Sequence, residues 1–132
     1  MTYTDLKNYL GMKAEVQAIV DEIKYWESFV MTIHYDEGGK SSNKVSNPTQ
    51  QAVDKIMQLK ERLNTKRDTL VQRTLEIEDW LDTLQDKELA AIIRHHFIGG
   101  KTWNETTRKV YGHAAWSLSQ WRVRNFFGLD KK

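Results

Sequence analysis

The sequence predicts an all-α protein. Two long helices pair as an antiparallel hairpin or coiled coil, and three short helices follow. Three observations carry this. Apolar residues recur at intervals of three and four through most of the first 84 positions, the stripe of a helix packed lengthwise against another helix. A polar run rich in Gly, Ser and Asn divides that stripe into two. The remaining residues are cut into three short segments by glycines and helix-capping residues.

The first helix is expected from about Thr4, its N-cap, to Ile33. Val16, Ile19, Ile23, Trp26, Val30 and Ile33 form its seam, which Tyr9 and Met12 extend backwards. Next comes HYDEGGKSSNKVSNPTQ. It has too few apolar groups to offset the entropy of ordering, so a flexible loop is expected at about 34–47. Asn47-Pro48 reads as a helix start, with Asn as cap and Pro at the first helical position.

The second helix is expected from Pro48 to Leu84. Its seam is Ile56, Leu59, Leu63, Leu70, Ile77, Trp80 and Leu84, interrupted by Lys66 and Arg73. At ~1.5 Å per residue it reaches ~54 Å, more than the first helix covers. Two helices make a thin core. Self-association as a homodimer or higher homo-oligomer is therefore expected on Val16, Ile19, Ile23, Trp26, Val30, Ile56, Leu63, Leu70 and Ile77. The other outcome is a bundle closed within one chain on the C-terminal helices. Residues 1–84 form this helical region and 85–132 a second domain.

In the second domain, LQDKELAAIIRHHF has Asp86 as N-cap and Leu89, Ile92, Ile93 and Phe97 on one face. Gly99-Gly100 end it as a left-handed C-cap would. TWNETTRKVY follows, with a Thr102–Glu105 capping box, and Gly112 stops it. AAWSLSQWRVRNFF is the third, stopped by Gly128. A short helix, a glycine turn and a polar, basic helix are the outline of a helix-turn-helix.

Gly100-Lys101-Thr102 has the letters of a phosphate-binding loop. That loop needs a glycine five residues before Gly100 and a preceding strand, but His95 stands there on a helical stretch. A nucleotide site is not expected. Lys101 and the N–H groups opening the next helix suit a phosphate of a nucleic-acid backbone instead. Thr102, Trp103, Arg108 and Lys109 complete that backbone-contacting set, although Trp103 could equally pack on the preceding helix. On the last helix Trp116, Val123 and Phe127 share one face, expected to be core. Ser117, Ser119, Gln120, Arg122 and Arg124 lie largely off it and are the expected base readers, since Gln and Arg pair bidentately with adenine and guanine edges. Leu118 and Trp121 form a second apolar pair. Thymine methyls, a partner protein or a neighbouring domain could each cover it.

Charge supports a polyanionic partner. The chain of 132 residues has net charge +2, distributed as −3 over residues 1–84 and +5 over 85–132. There is no cysteine, which removes disulfides and thiolate metal sites. No apolar run approaches the ~20 residues of a membrane span. The opening MTYTDLKNYLGMK has no basic segment leading into an apolar core, so no signal peptide is expected. His95, His96 and His113 do not have metal-ligand spacing. The adjacent acidic pairs Asp21-Glu22 and Glu78-Asp79 do not converge as an acid/base pair would. No nucleophile triad is legible. No enzymatic activity and no cofactor are expected.

The run LQDKELAAIIRHHFIGGKTWNETTRKVYG, continued by SLSQWRVRNFF, resembles region 4 of sigma-70-type factors. It is more similar still to phage late-transcription regulators of the RinA/ArpU type, found in phages of Gram-positive bacteria. In that pattern an aromatic-ended helix leads into a G-K-T-W-x-E turn, a short helix and a Ser-rich, Arg-containing recognition helix. Here these are Phe97, Gly100 to Glu105, and Ser117 to Phe127. The segment SNKVSNPTQQAV between two long helices fits as well. Thr106-Thr107 stand where the family usually has Ile-Ala, and GHAAW replaces its Tyr-Ser turn. The resemblance implies a sequence-specific activator of phage late genes. It would bind double-stranded DNA in the bacterial host cytoplasm, with host RNA polymerase as a further partner and no membrane association. Two rivals come from other classes: a DNA-packaging protein like a small terminase subunit, and a sigma-like module that grips polymerase without reading DNA.

Overall fold

The structure is a computed structural model that describes residues 1–36, 46–113 and 115–129. Among them five α-helices run in order: α1 (Tyr3–Asp36), α2 (Ser46–Thr83), α3 (Lys87–Ile93), α4 (Trp103–Tyr111) and α5 (Trp116–Phe126). A π-helical turn, Arg94–Ile98, continues α3. There is no strand among the described residues. None of their helices is long and apolar enough to cross a membrane.

The helix ends correct three expectations. The cap of α1 is Thr2, not Thr4. The Thr2 hydroxyl accepts from the Asp5 N–H at 3.1 Å, and the Asp5 carboxylate accepts from the Thr2 N–H at 2.8 Å. The reciprocal pair needs an acceptor three residues after the cap; Thr2 has Asp5 there, whereas Thr4 has Lys7. At its other end α1 continues through the expected loop start to Asp36. Residues 37–45 of that loop lie outside the described residues. α2 then begins at Ser46 rather than Pro48, leaving Pro48 in the first turn, where a missing N–H breaks no helical bond.

The chain divides into two compact units, residues 12–70 and residues 1–11 with 71–132. The change of charge at 84/85 therefore falls inside the second unit and is not its edge. Residues 12–70 form a hairpin unit. Its helices are antiparallel, since Glu15 meets Lys66 at 3.1 Å while the later Glu27 meets the earlier Lys60 at 3.7 Å. Ile19, Ile23, Leu59 and Leu63 are its buried cluster, with Val16, Val20, Trp26 and Ile56 packed around them. Burying such a side chain contributes about 1.5–3 kcal/mol, against about 0–1 kcal/mol for an exposed ion pair. Val30 and Leu70 are half-buried. The predicted seam is thus largely occupied by pairing within one chain. Lys66, which interrupts that seam, reaches sideways to Glu15. Among its described residues, Tyr25, Met31 and Met57 are the large apolar side chains left exposed.

Residues 1–11 and 71–132 form a composite unit. Its core takes Leu6 and Tyr9 from α1, Ile77 and Leu81 from α2, and Leu89, Ala90, Ile92 and Ile93 from α3. Phe97 and Val123 complete it, both at most 1% exposed. The Tyr9 hydroxyl lies 2.7 Å from that of Thr74. Tyr3 meets Phe97 edge-on, centroids 6.5 Å apart, and Phe127 at 5.8 Å. Trp80 stacks on Phe127 at 6.2 Å. The expected face of α3 is buried throughout. Leu6 and Leu81 join the core without a signal in the spacing; Leu81 lies one turn after Ile77 and continues its row, while Trp80 and Leu84 are only half-buried.

Candidate nucleic-acid interface

α3, α4 and α5 pack against one another in the composite unit. The start of α3 is fixed by Asp86, whose side chain accepts from the Leu89 N–H at 3.0 Å. Its other carboxylate oxygen receives the Arg122 guanidinium of α5 at 2.6 Å. Arg122 also donates to Glu88 and, at 2.9 Å, to the Tyr111 hydroxyl. Tyr111 in turn donates to Glu88 at 2.6 Å. The fork geometry of a guanidinium suits several acceptors at once. The Leu89 N–H, then Arg122, holds the Asp86 carboxyl below its ordinary range. The Tyr111 hydroxyl, then Arg122, does the same for Glu88. Burial and the bond to Glu88 push the Tyr111 phenol up. Arg122 is 23% exposed, and its polar end is engaged by Asp86, Glu88 and Tyr111. The expectation that it reads a base is corrected: it ties α5 to α3 and α4.

The turn into α4 is built on backbone approach. The Gly99 N–H donates to the Arg94 carbonyl at 2.9 Å, closing the π turn. A Cβ on Gly99 would stand 2.7 Å from the His95 carbonyl oxygen, so this position accepts no side chain. Gly99 itself has φ −78°; the left-handed residue of the pair is Gly100, φ 70°. A His96 ring nitrogen lies 2.7 Å from the Lys101 carbonyl oxygen. The ring face of His96 stacks on Trp103 at 3.6 Å. Trp103 also meets Phe97 edge-on at 6.2 Å. Of its two expected placements it takes the inner one, bracing α4 against the preceding helix. The Thr102–Glu105 capping box is present in both directions, at 3.1 Å and 2.9 Å. These bonds hold the Glu105 carboxyl low, Lys101 adding to them. Gly112 ends α4 with φ 82°, its N–H on the Arg108 carbonyl.

Along α4, residues three and four apart share a face. Lys101, Asn104, Glu105, Arg108 and Lys109 accordingly line one groove of about 410 Å³. Three of the five expected backbone-contacting residues meet there, and no carboxylate of the described residues lies within ion-pair distance of Arg108 or Lys109. Burial, then the charges of Lys101 and Lys109, lowers the His95 pKa, which marks His95 as a neighbour of this cationic cluster that sequence reasoning passes over. Arg94 does not belong to it; its guanidinium pairs with Glu78 and Asp82 at 3.3 and 3.9 Å.

α5 begins after Ala115, whose side chain makes no cap bond and whose N–H donates to the His113 ring at 3.4 Å. Ser119 and Val123 point inward, both 0% exposed. The Ser119 hydroxyl lies 2.6 Å from that of Thr107 on α4. Ser119 is therefore corrected from base reader to interhelical contact. The same bond gives the buried Thr107 hydroxyl its partner. Ser117 is exposed, Gln120 and Arg124 half-buried. Trp121 is 52% exposed. The expected core position of the Trp116 side chain lies outside the described residues. His113 stands apart from the other histidines, stacked beside Tyr111 at 6.0 Å.

No family model matches the chain, and no curated protein or solved structure matches it at a significant level.

Proposed function

We propose that this chain is a sequence-specific DNA-binding transcription regulator of the phage late-gene type, acting as an activator. In this reading α3, α4 and α5 are a three-helix unit like sigma-70 region 4. α4 and α5 are its helix-turn-helix, and α5 enters the major groove. The observation that carries the reading is the distribution of charge over α4 and α5. Lys101, Arg108 and Lys109 line one groove, and α5 has no acidic residue. Phosphates would meet the α4 groove and the uncapped start of α5. Ser117, Gln120 and Arg124 remain as base readers, with hydroxyl, amide and guanidinium chemistry suited to base edges. The motif GKTWNE with its following helices adds the family likeness.

A gel shift over the late promoter region of the source phage, against scrambled DNA at fixed salt, tests this. Tighter binding to the promoter is expected; equal affinity for both would sink the specific-regulator reading. Lys109→Ala should weaken both DNAs alike and reduce the salt slope by about 0.9 for each phosphate left without its cation. A solution mass corresponding to a ring of eight or more chains would favour packaging instead. Capture of host RNA polymerase without promoter binding would favour a polymerase-docking module.

A further inference from the structure

Trp121 lies between Ser119 and Val123 in sequence and opposite them on the helix, at 100° per residue. Those two residues are fully buried, so the indole stands at the middle of the outer face of α5, 52% exposed. Ser117, Arg124 and Asn125 flank it, with half-buried Leu118 on the same side. The rotation of the helix is held by two interactions that leave Trp121 outside: Arg122 on Asp86, Glu88 and Tyr111, and Ser119 on Thr107. A large apolar ring thus sits beside Leu118 and among the polar groups of Ser117, Arg124 and Asn125, on a helix without a carboxylate. Arg124 beside the ring and the absence of any acidic residue on α5 favour a polyanionic occupant over an apolar protein surface. The indole has one donor and no acceptor, so it cannot form the bidentate pair that identifies adenine or guanine. The one apolar group that major-groove edges display is the thymine methyl.

We propose that Trp121 is a specificity-determining residue that packs on the C5-methyl group of a thymine in the major groove. This rests on the DNA-binding reading above. The test compares promoter DNA with the same DNA in which every thymine is replaced by uracil. Base pairing and the O4 acceptor are kept, and only the methyl is removed. The wild-type protein should bind the thymine form about fourfold tighter for each methyl it packs on. Trp121→Ala should bind less tightly and treat both DNAs alike, while Trp121→Phe keeps part of the discrimination. Unchanged thermal melting of the variants confirms that the fold is intact. Specific binding without discrimination in the wild type overturns the proposal and leaves the DNA-binding reading standing. Discrimination that survives in Trp121→Ala overturns it too. Wild-type DNA affinity in Trp121→Ala with loss of RNA polymerase capture assigns the indole to a protein contact, which also overturns it. If the wild type binds neither DNA, the DNA-binding reading falls and the proposal falls with it.

Discussion

The hairpin unit and the composite unit are held by different kinds of interaction. In the hairpin unit, a stripe of aliphatic side chains supplies the stability: Ile19, Ile23, Leu59 and Leu63 inside, with exposed ion pairs such as Lys60–Glu27 at its margin. Nothing in that stripe demands a particular atom opposite a particular atom. The composite unit adds polar geometry to its apolar core. Thr107 needs Ser119, Arg122 needs Asp86, Glu88 and Tyr111, and Thr102 needs Glu105. Aliphatic packing is tolerant of volume-conserving exchange, whereas a buried hydroxyl that loses its partner keeps its full desolvation penalty. One region is specified by size and pattern, the other by named partners.

The largest effect should come from Phe97, which is buried at the junction of Tyr3, His96 and Trp103. Phe97→Ala should destabilise by about 3–5 kcal/mol, read by chemical denaturation. An effect below about 1 kcal/mol, well under the range for truncating a packed ring, would mean that the composite core is not organised around it. Next comes the direct comparison. Thr107→Val keeps the shape of the side chain but orphans the Ser119 hydroxyl and should cost about 1–3 kcal/mol. The matching swap Ile23→Leu in the hairpin unit should cost less than about 1.5 kcal/mol. If Ile23→Leu proves the more damaging, the contrast between the units is broken. Adding Ser119→Ala to Thr107→Val should recover part of the loss, and a strictly additive double mutant would show that the hydroxyls are not coupled.

Thr102→Ala removes the cap of α4 and should cost about 1 kcal/mol, measured by the same denaturation. The smallest effect is in the acid limb, because the carboxylates concerned are half-exposed and screened. The folded pKa values of Asp86 and Glu88 lie below their ordinary values of 3.8 and 4.5. Their contribution is therefore complete above about pH 4.5 and is lost as pH falls through the lowered values. Arg122→Ala should flatten that acid limb in urea titrations at several pH values. An unchanged limb would leave its cause in the Leu89 and Tyr111 bonds or in other carboxylates.

What is legible in the sequence is what local chemistry decides. Asp86, the Thr102–Glu105 box and Gly112 act within one turn of themselves, and each caps its helix where its letters stand. The buried row of α3 is legible from its period alone. Ser119 and Arg122 are not, because hydroxyl and guanidinium on a polar helix look alike whether they face a ligand or a neighbouring helix. Only the position of Thr107 on α4 and of Glu88 on α3 decides between the two. Adjacent threonines at 106 and 107 are the available hint, since both are buried on a short helix. The π turn is hidden for a similar reason: Gly99 is explained by the close approach of the His95 carbonyl, which no spacing of side chains reports. The membership of Leu6 in the composite core depends on contacts with residues that follow it by many turns of helix.

That last feature bears on how the protein is made. Tyr3 touches Phe97 and Phe127, so the composite unit closes only after nearly all of the chain between them has been synthesised. Helices form locally and quickly, but contacts of such sequence separation wait on loop closure. The earliest-made turn of α1 must stay available while α2 to α5 emerge from the ribosome. A fragment starting at residue 85 would contain every predicted DNA-contacting residue and still lack Leu6, Tyr9, Ile77 and Leu81 from its core. Any fragment designed to isolate the C-terminal helices therefore has to carry both of its distant strips of chain.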